Sequence, residues 1–171
     1  MKEQKYEHVT HTFGPVYDSQ SKILILGSMP SVKSREQQFY YGHPQNRFWK
    51  VLSAVLEESP PKTIDEKKAF LLNHHIALWD VIASCDIIGS SDSSIKNVKA
   101  NDMHLILEQA DIKTIFLNGG KADEFFKKYC MQNIQDNKPA LVKLPSTSPA
   151  NAAWSFDRLT KAWGDAVMAD L

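Results

Sequence analysis

Cysteine is scarce in this 171-residue chain, which has two, Cys85 and Cys130. Two distant thiols supply neither a disulfide framework nor a Cys-rich zinc or iron–sulfur site. They fit a reducing compartment, so a cytoplasmic location is expected, with no metal and no cofactor. An excess of charge of one sign is missing too. Twenty Lys+Arg balance twenty Asp+Glu for a net charge of zero, which excludes a simple polycationic nucleic-acid binder but leaves room for a local basic surface. No apolar run approaches the ~20 residues that span a bilayer, and Met1 to Phe13 carries no apolar signal core, so no membrane partner is expected. Repeats, low-complexity tracts and long linkers are absent, which argues for one domain over residues 1–171 and a monomer. Histidine is missing from the last third: all six lie at or before His104.

What is present is an ordinary folding composition, 43% hydrophobic and 10% aromatic, enough to bury one core without staples. Four short apolar runs recur: Lys22–Gly27, His75–Trp79, Lys113–Asn118 and Ala140–Leu144. Each is rich in Ile, Leu, Val or Phe and ends near Gly, Asp, Asn or Pro, the pattern of a strand buried on both faces. Helical spacing lies between them. Phe48, Val51, Leu52 and Val55 share one face, with Asn46 as a candidate cap. Asp65 starts a second helix with Ala69, Leu72 and Phe70 inward. Asn101 caps a third through Leu105, Ile106 and Gln109. Gly120 leads into a fourth with Phe125, Phe126 and Tyr129, and a fifth begins near Ala152 and runs through Phe156, Leu159 and Trp163. The adjacent His74-His75 reads as a helix end and strand start. Strand–helix alternation predicts an α/β fold of three layers, α/β/α, around a central four-stranded parallel sheet. Ligands of such sheets bind beyond the carboxyl ends of the strands.

Three segments near those ends can carry chemistry. In Gly27-Ser28-Met29-Pro30-Ser31, glycine lets the backbone approach a ligand and proline stiffens the turn, while a plain strand-ending turn explains the same residues. A phosphate loop is excluded by the glycine spacing and the missing Lys-Ser/Thr. A serine hydrolase built on Ser28 needs a histidine base, and the late loops hold none, which leaves His43. In Phe39 to Trp49, Phe48 and Trp49 belong to the core, but Tyr40-Tyr41 before a Gly-His-Pro turn are suited to stacking on a flat ring. Asn46 has both donor and acceptor groups and can orient a water or a polar edge, but cannot act as a strong base. In Leu144 to Asn151, two prolines stiffen the segment, the hydroxyls of Ser146, Thr147 and Ser148 can grip phosphate, and Pro149-Ala150 is a rigid apolar tip able to wedge into a duplex. Taken alone, the last segment is better explained as a helix N-cap with ordinary Ser-Pro turns.

Together, in this order, the segments resemble the uracil-DNA glycosylase superfamily, and within it the hypoxanthine-DNA glycosylase branch, over roughly Phe13 to Trp163. Gly27 to Ser31 is similar to the first motif, Pro44-Gln-Asn-Arg-Phe-Trp49 to the block after the base-stacking aromatic, and Leu144 to Asn151 to the second motif, the DNA-intercalating loop. Leu78 to Ile82 and Gly89 to Ile95 look like blocks of the hypoxanthine branch. Met29 occupies the place where mismatch-specific uracil relatives carry a water-activating Asn and other branches carry an acid.

The resemblance implies a monofunctional DNA repair glycosylase acting on DNA with deaminated bases, chiefly releasing hypoxanthine from deoxyinosine. Asn46 would hold the water or the sugar edge. Gly27, Ser28, Met29, Pro30, Tyr40, Tyr41, Asn118 and, more weakly, Asp80 would bind the nucleobase, with a strand-end cap as the other explanation of Asn118. Ser31, His43, Arg47 and Pro145 to Asn151 would meet DNA. Asp92, in a serine-rich stretch, is expected to organise its own loop. A uracil or xanthine glycosylase of the same fold, or a catalytically silent DNA-binding module, remain the alternatives. Sorted by segment, the neutral charge divides. Lys33 to Lys50 has a surplus of three positive charges, as does Lys138 to Trp163, whereas Asp80 to Asp111 has a deficit of four.

Overall fold

The computed structural model describes residues 5–134 and 139–171; Lys138, counted in the second basic segment, lies outside the described residues. The order is β1 (Glu7–Thr10), β2 (Ile23–Gly27), α1 (Val32–Gln37), α2 (Phe48–Val55), α3 (Ile64–Asn73), β3 (Ile76–Asp80), β4 (Ile82–Ile87), β5 (Lys96–Ala100), α4 (His104–Leu107), β6 (Thr114–Asn118), α5 (Gly120–Tyr129), β7 (Ala140–Leu144) and α6 (Phe156–Val167), with short 3-10 turns between some of them.

The four apolar runs form one parallel sheet in the order β3-β2-β6-β7. Every residue of β2 and β3 is buried, so both faces of the sheet centre are covered by helices, as an all-parallel sheet requires. Helix α2 packs on α6, α3 on β3, and α5 on β6, β2 and β7. The register sets Gly27 beside Asp80 and Asn118 beside Leu144. Three of the segments read from the sequence therefore leave the sheet at one end.

A second sheet was not expected from the sequence. Strands β1, β4 and β5 make an antiparallel three-stranded sheet in the order β1-β4-β5. Its outer strands, Glu-His-Val-Thr and Lys-Asn-Val-Lys-Ala, are mostly exposed and contain no apolar run. Strand β4 follows β3 with only Val81 between, and the Val81 and Ile82 amides donate to the Gly27 and Ser28 carbonyls. The chain thus passes from one sheet to the other along the wall of the site.

Several helices differ from expectation. Thr63, not Asp65, caps α3 by accepting from the Glu66 amide, and its buried residues are Phe70 and Leu71, while Ala69 is exposed. Helix α4 is a single turn. Asn101 does not cap it, because its amide donates to the Asp80 carbonyl, and Leu105 is exposed. Helix α6 starts at Phe156 behind a Ser155 cap, not near Ala152. A six-residue helix, α1, capped by Ser31, follows the first motif. His74 and His75 do end a helix and lead into β3, with His75 at φ 62°. No helix among the described residues is long and apolar enough to cross a membrane.

Candidate active site

A cavity of about 300 Å³ opens at the carboxyl ends of β2, β3 and β6. Its size lies at the small end of the range for small-molecule sites. Gly27 shapes its floor: a Cβ there would lie 2.5 Å from Asp80 Oδ1 and 3.0 Å from Tyr41 Oη. Only glycine allows the carboxylate and the phenol to converge on the strand end.

Asn46 sits in the turn before α2 and borders the cavity. Its Oδ1 accepts from the Phe48 amide at 2.9 Å and from Thr147 Oγ1 at 2.9 Å. A backbone N–H can only donate, so it fixes which end of the amide faces inward. The Nδ2 group is left without a partner among the described residues.

Thr147 holds this arrangement together from the loop after β7 and is wholly buried. Its hydroxyl donates to Asn46 and accepts from Asn118 Nδ2 at 3.1 Å, and its amide donates to Asn118 Oδ1 at 3.1 Å. Asn118 Nδ2 also donates to Tyr41 Oη at 3.1 Å. Both amide protons of Asn118 are thereby engaged within the protein. Its observed contacts match the strand-end cap more than an edge reader, and it ties β6 to the loop after β7.

The two tyrosines divide. Tyr40 is 1% exposed, donates to the Gly14 carbonyl at 2.9 Å and packs edge-on against Phe13 and Phe39. It supports the wall. Tyr41, at φ 53°, stacks on Phe48 with ring centroids 4.0 Å apart and is half-buried. Burial raises both phenols well above the usual range, and the nearby Asp80 carboxylate adds to this, so both stay protonated.

Of the other expected residues, Ser28, Met29, Pro30, Ser31 and His43 border the same cavity. So do Ser146, Ser148, Pro149 and Ala150. Pro145 and Asn151 instead line an adjoining groove with Lys121, Lys143 and Trp154. The Ser146 and Ser148 hydroxyls accept from the Ser148 and Ala150 amides, which leaves each hydroxyl its own proton to donate.

Arg47 has a different occupation from a DNA contact. It donates to the Trp154 carbonyl, and Nη2 donates to the Ser148 and Asn151 carbonyls, both at 3.1 Å. Its amide donates to the Thr147 carbonyl at 3.1 Å. The guanidinium clamps the loop from inside.

Two site residues escaped the sequence reading. Asp92 does not organise its own loop through its side chain: Ser91 and Ser94 do that. Its carboxylate accepts from Ser28 Oγ at 3.0 Å, across 64 positions. The residue as a whole is exposed, but its carboxyl borders the cavity. Desolvation there raises its pKa, opposed by Ser28 and Lys121 and reinforced by Asp80. The other is His11, whose Nε2 lies 2.9 Å from Asp80 Oδ2. Nothing in the local sequence links either pair. Ser28 is bonded to an acid rather than to a histidine, and His43 Nδ1 accepts from the Gln45 amide, so the serine-hydrolase arrangement is not assembled. Among the described residues no cluster of three His, Cys, Asp or Glu could hold a metal ion.

Fold and site together define a small pocket at the carboxyl ends of a parallel sheet, walled on one side by a hydrogen-bonded loop. Residues 15–167 match the Uracil DNA glycosylase superfamily, and the chain belongs to it. It is similar to a Hypoxanthine DNA glycosylase of Methanosarcina acetivorans, 36% identical over 85% of this chain and 90% of that protein. It is similar also to a Hypoxanthine DNA glycosylase of Methanosarcina barkeri, 34% identical over 66% of this chain and 73% of that one. A solution NMR structure from Methanosarcina acetivorans, described as a candidate uracil DNA glycosylase, superposes with a TM-score of 0.75 at 33% identity. It covers 90% of this chain and 93% of that one.

Proposed function

We propose that this protein is a monofunctional DNA glycosylase that hydrolyses the N-glycosidic bond of deaminated nucleobases, hypoxanthine in deoxyinosine foremost, and leaves an abasic site. The observation that carries the reading is the Asn46 Nδ2 group, held free toward a nucleobase-sized cavity by two donors on its oxygen. Relatives named hypoxanthine DNA glycosylases support the substrate.

Glycosidic cleavage passes through an oxocarbenium-like sugar with a departing anionic nucleobase. A free N–H donates to the oxygen of a water and so places it without removing a proton. That suffices when the sugar cation forms before the water attacks, and the proton the water then sheds neutralises the departed nucleobase anion. The carboxylates bordering the cavity, Asp80 and Asp92, favour the cation electrostatically. The nucleobase must first leave the duplex, at a cost of a few kcal/mol that falls at imperfect pairs such as inosine's. Tyr41, backed by Phe48, offers a ring face to stack on. Ser146 and Ser148 offer hydroxyl protons to phosphates, and Pro149-Ala150 fills the gap in the stack. Among the described residues no lysine borders the cavity, so no amine is placed there to form a Schiff base, and lyase activity is not expected.

A panel of oligonucleotides carrying inosine, uracil or xanthine tests the substrate. Inosine is expected to be cut fastest, and uracil cut far faster would refute the choice. Asn46→Ala separates an enzyme from a silent DNA-binding module. Turnover is expected to fall ~10²-fold or more with DNA affinity largely kept; unchanged cleavage would remove Asn46 from the mechanism.

A further inference from the structure

Asp80 ends β3 at the cavity floor with a side chain only 5% exposed. Its Oδ2 is 2.9 Å from Nε2 of His11, whose side chain is 2% exposed. The imidazole is itself wedged between Phe13 and Tyr40, at ring-centroid distances of 4.4 and 5.7 Å. The other oxygen, Oδ1, has no partner among the described residues, approaches the Gly27 strand end and borders the cavity. A buried side chain with one carboxylate oxygen tied and the other open to a cavity offers that second oxygen as an acceptor to whatever enters. The side chains facing it are the Tyr40 and Tyr41 phenols, His11 and, at longer range, Asp92.

Deamination changes one feature of a nucleobase edge that such an acceptor reads. Adenine presents a lone pair at ring nitrogen N1, and cytosine presents one at N3. Their deaminated products, hypoxanthine and uracil, carry an N–H at the same atom beside a new carbonyl. A carboxylate oxygen accepts from that N–H and repels the lone pair it replaced. Sites built to hydrogen-bond one edge reject the unmatched one strongly, because their own buried group is then left unpaired.

We propose that Asp80 Oδ1 is the acceptor that admits a ring N–H and rejects the undeaminated base, with His11 as its positioning residue. This rests on the glycosylase reading above. Guanine carries the same ring N–H, so its exclusion falls to the cost of unpairing it from cytosine and not to Asp80.

The test is single-turnover cleavage of two oligonucleotides, one with inosine and one with unsubstituted purine, whose N1 is a lone pair. The wild type is expected to prefer inosine. In Asp80→Asn, His11 still donates to the side-chain oxygen, which turns the amide nitrogen toward the cavity and exchanges acceptor for donor. Inosine cleavage is expected to fall ~10²-fold while purine cleavage holds or rises. His11→Gln, which keeps a donor, should retain most of the preference, and His11→Leu should lose more of it. Equal slowing of both substrates in Asp80→Asn, or no change in their ratio, overturns the proposal alone. A wild type that cleaves neither overturns the glycosylase reading as well. Should Asp80→Asn fail to fold, competition on the wild type decides. Free hypoxanthine should inhibit and free purine should not, and equal inhibition by both would overturn the proposal.

Discussion

Thr147 shows how much of this site depends on one small side chain. Among the described residues its hydroxyl is the only side-chain donor on Asn46 Oδ1 and one of two acceptors for Asn118 Nδ2. Thr147→Val keeps the shape and removes the bonds. Asn46 then holds its amide by the Phe48 amide alone, and a proton of Asn118 is left unpaired in a buried place. The expected stability cost is ~1–3 kcal/mol by thermal or denaturant unfolding, with kcat on inosine DNA falling ~10-fold or more and DNA affinity changing less. An unchanged kcat would show that Asn46 needs no such support. Asn46, Tyr41 and the Ser146–Ser148 hydroxyls were legible in the sequence because each stands in a local motif. His11 and Asp92 were not, since their partners lie 69 and 64 positions away and neither neighbourhood has a distinctive spacing. Arg47 was visible as a candidate DNA contact, but its bonds to three loop carbonyls were not. A motif arginine looks like a phosphate contact until the three carbonyls around it are seen.

At the scale of elements, the loop after β7 is held mainly by bonds from outside it. Residues 145–155 are crossed by their own short turns, but Arg47 anchors them to α2, and Trp163 Nε1 of α6 donates to the Pro145 carbonyl at 2.9 Å. Gly119, at φ 96°, lets the loop close in, since a Cβ there would lie 2.9 Å from Ser146 Cβ. Arg47→Met keeps the apolar stem and strips the donors from three carbonyls. It is expected to lower stability by ~2–4 kcal/mol, to open the loop to limited proteolysis and to weaken DNA binding, with the salt dependence of that binding unchanged. A salt slope shallower by about one unit would instead mark Arg47 as a phosphate contact. The parallel strands were readable because each is a continuous apolar run, the mark of burial on both faces. The antiparallel sheet was hidden because β1 and β5 are short, polar and exposed, and nothing in such segments separates a strand from a loop.

Over the whole molecule, the zero net charge conceals two basic segments, each of which contributes to the site or its loop. With Arg47 turned inward, the described cations left to meet DNA near the cavity are few, chiefly Lys121 and Lys143 in the adjoining groove, and Lys121 is paired with Glu124 at 2.9 Å. A footprint of about three phosphates gives a slope near −2.7 in log affinity against log salt, or roughly a 40-fold loss between 50 and 200 mM salt. Titration of binding against salt checks this, and a slope near −8 would mean a far larger contact surface. The bonds from Asn46 and Arg47 to the loop at Thr147–Trp154 span 101 to 107 positions of chain. Closing so long a loop is entropically costly and slow compared with local structure. The first strands of the sheet can therefore form while the chain is still being synthesised, but the Asn46 amide does not gain its Thr147 bond until residues 145–154 have emerged and docked. A nascent or refolding chain gains its secondary structure first and its ability to attack DNA last.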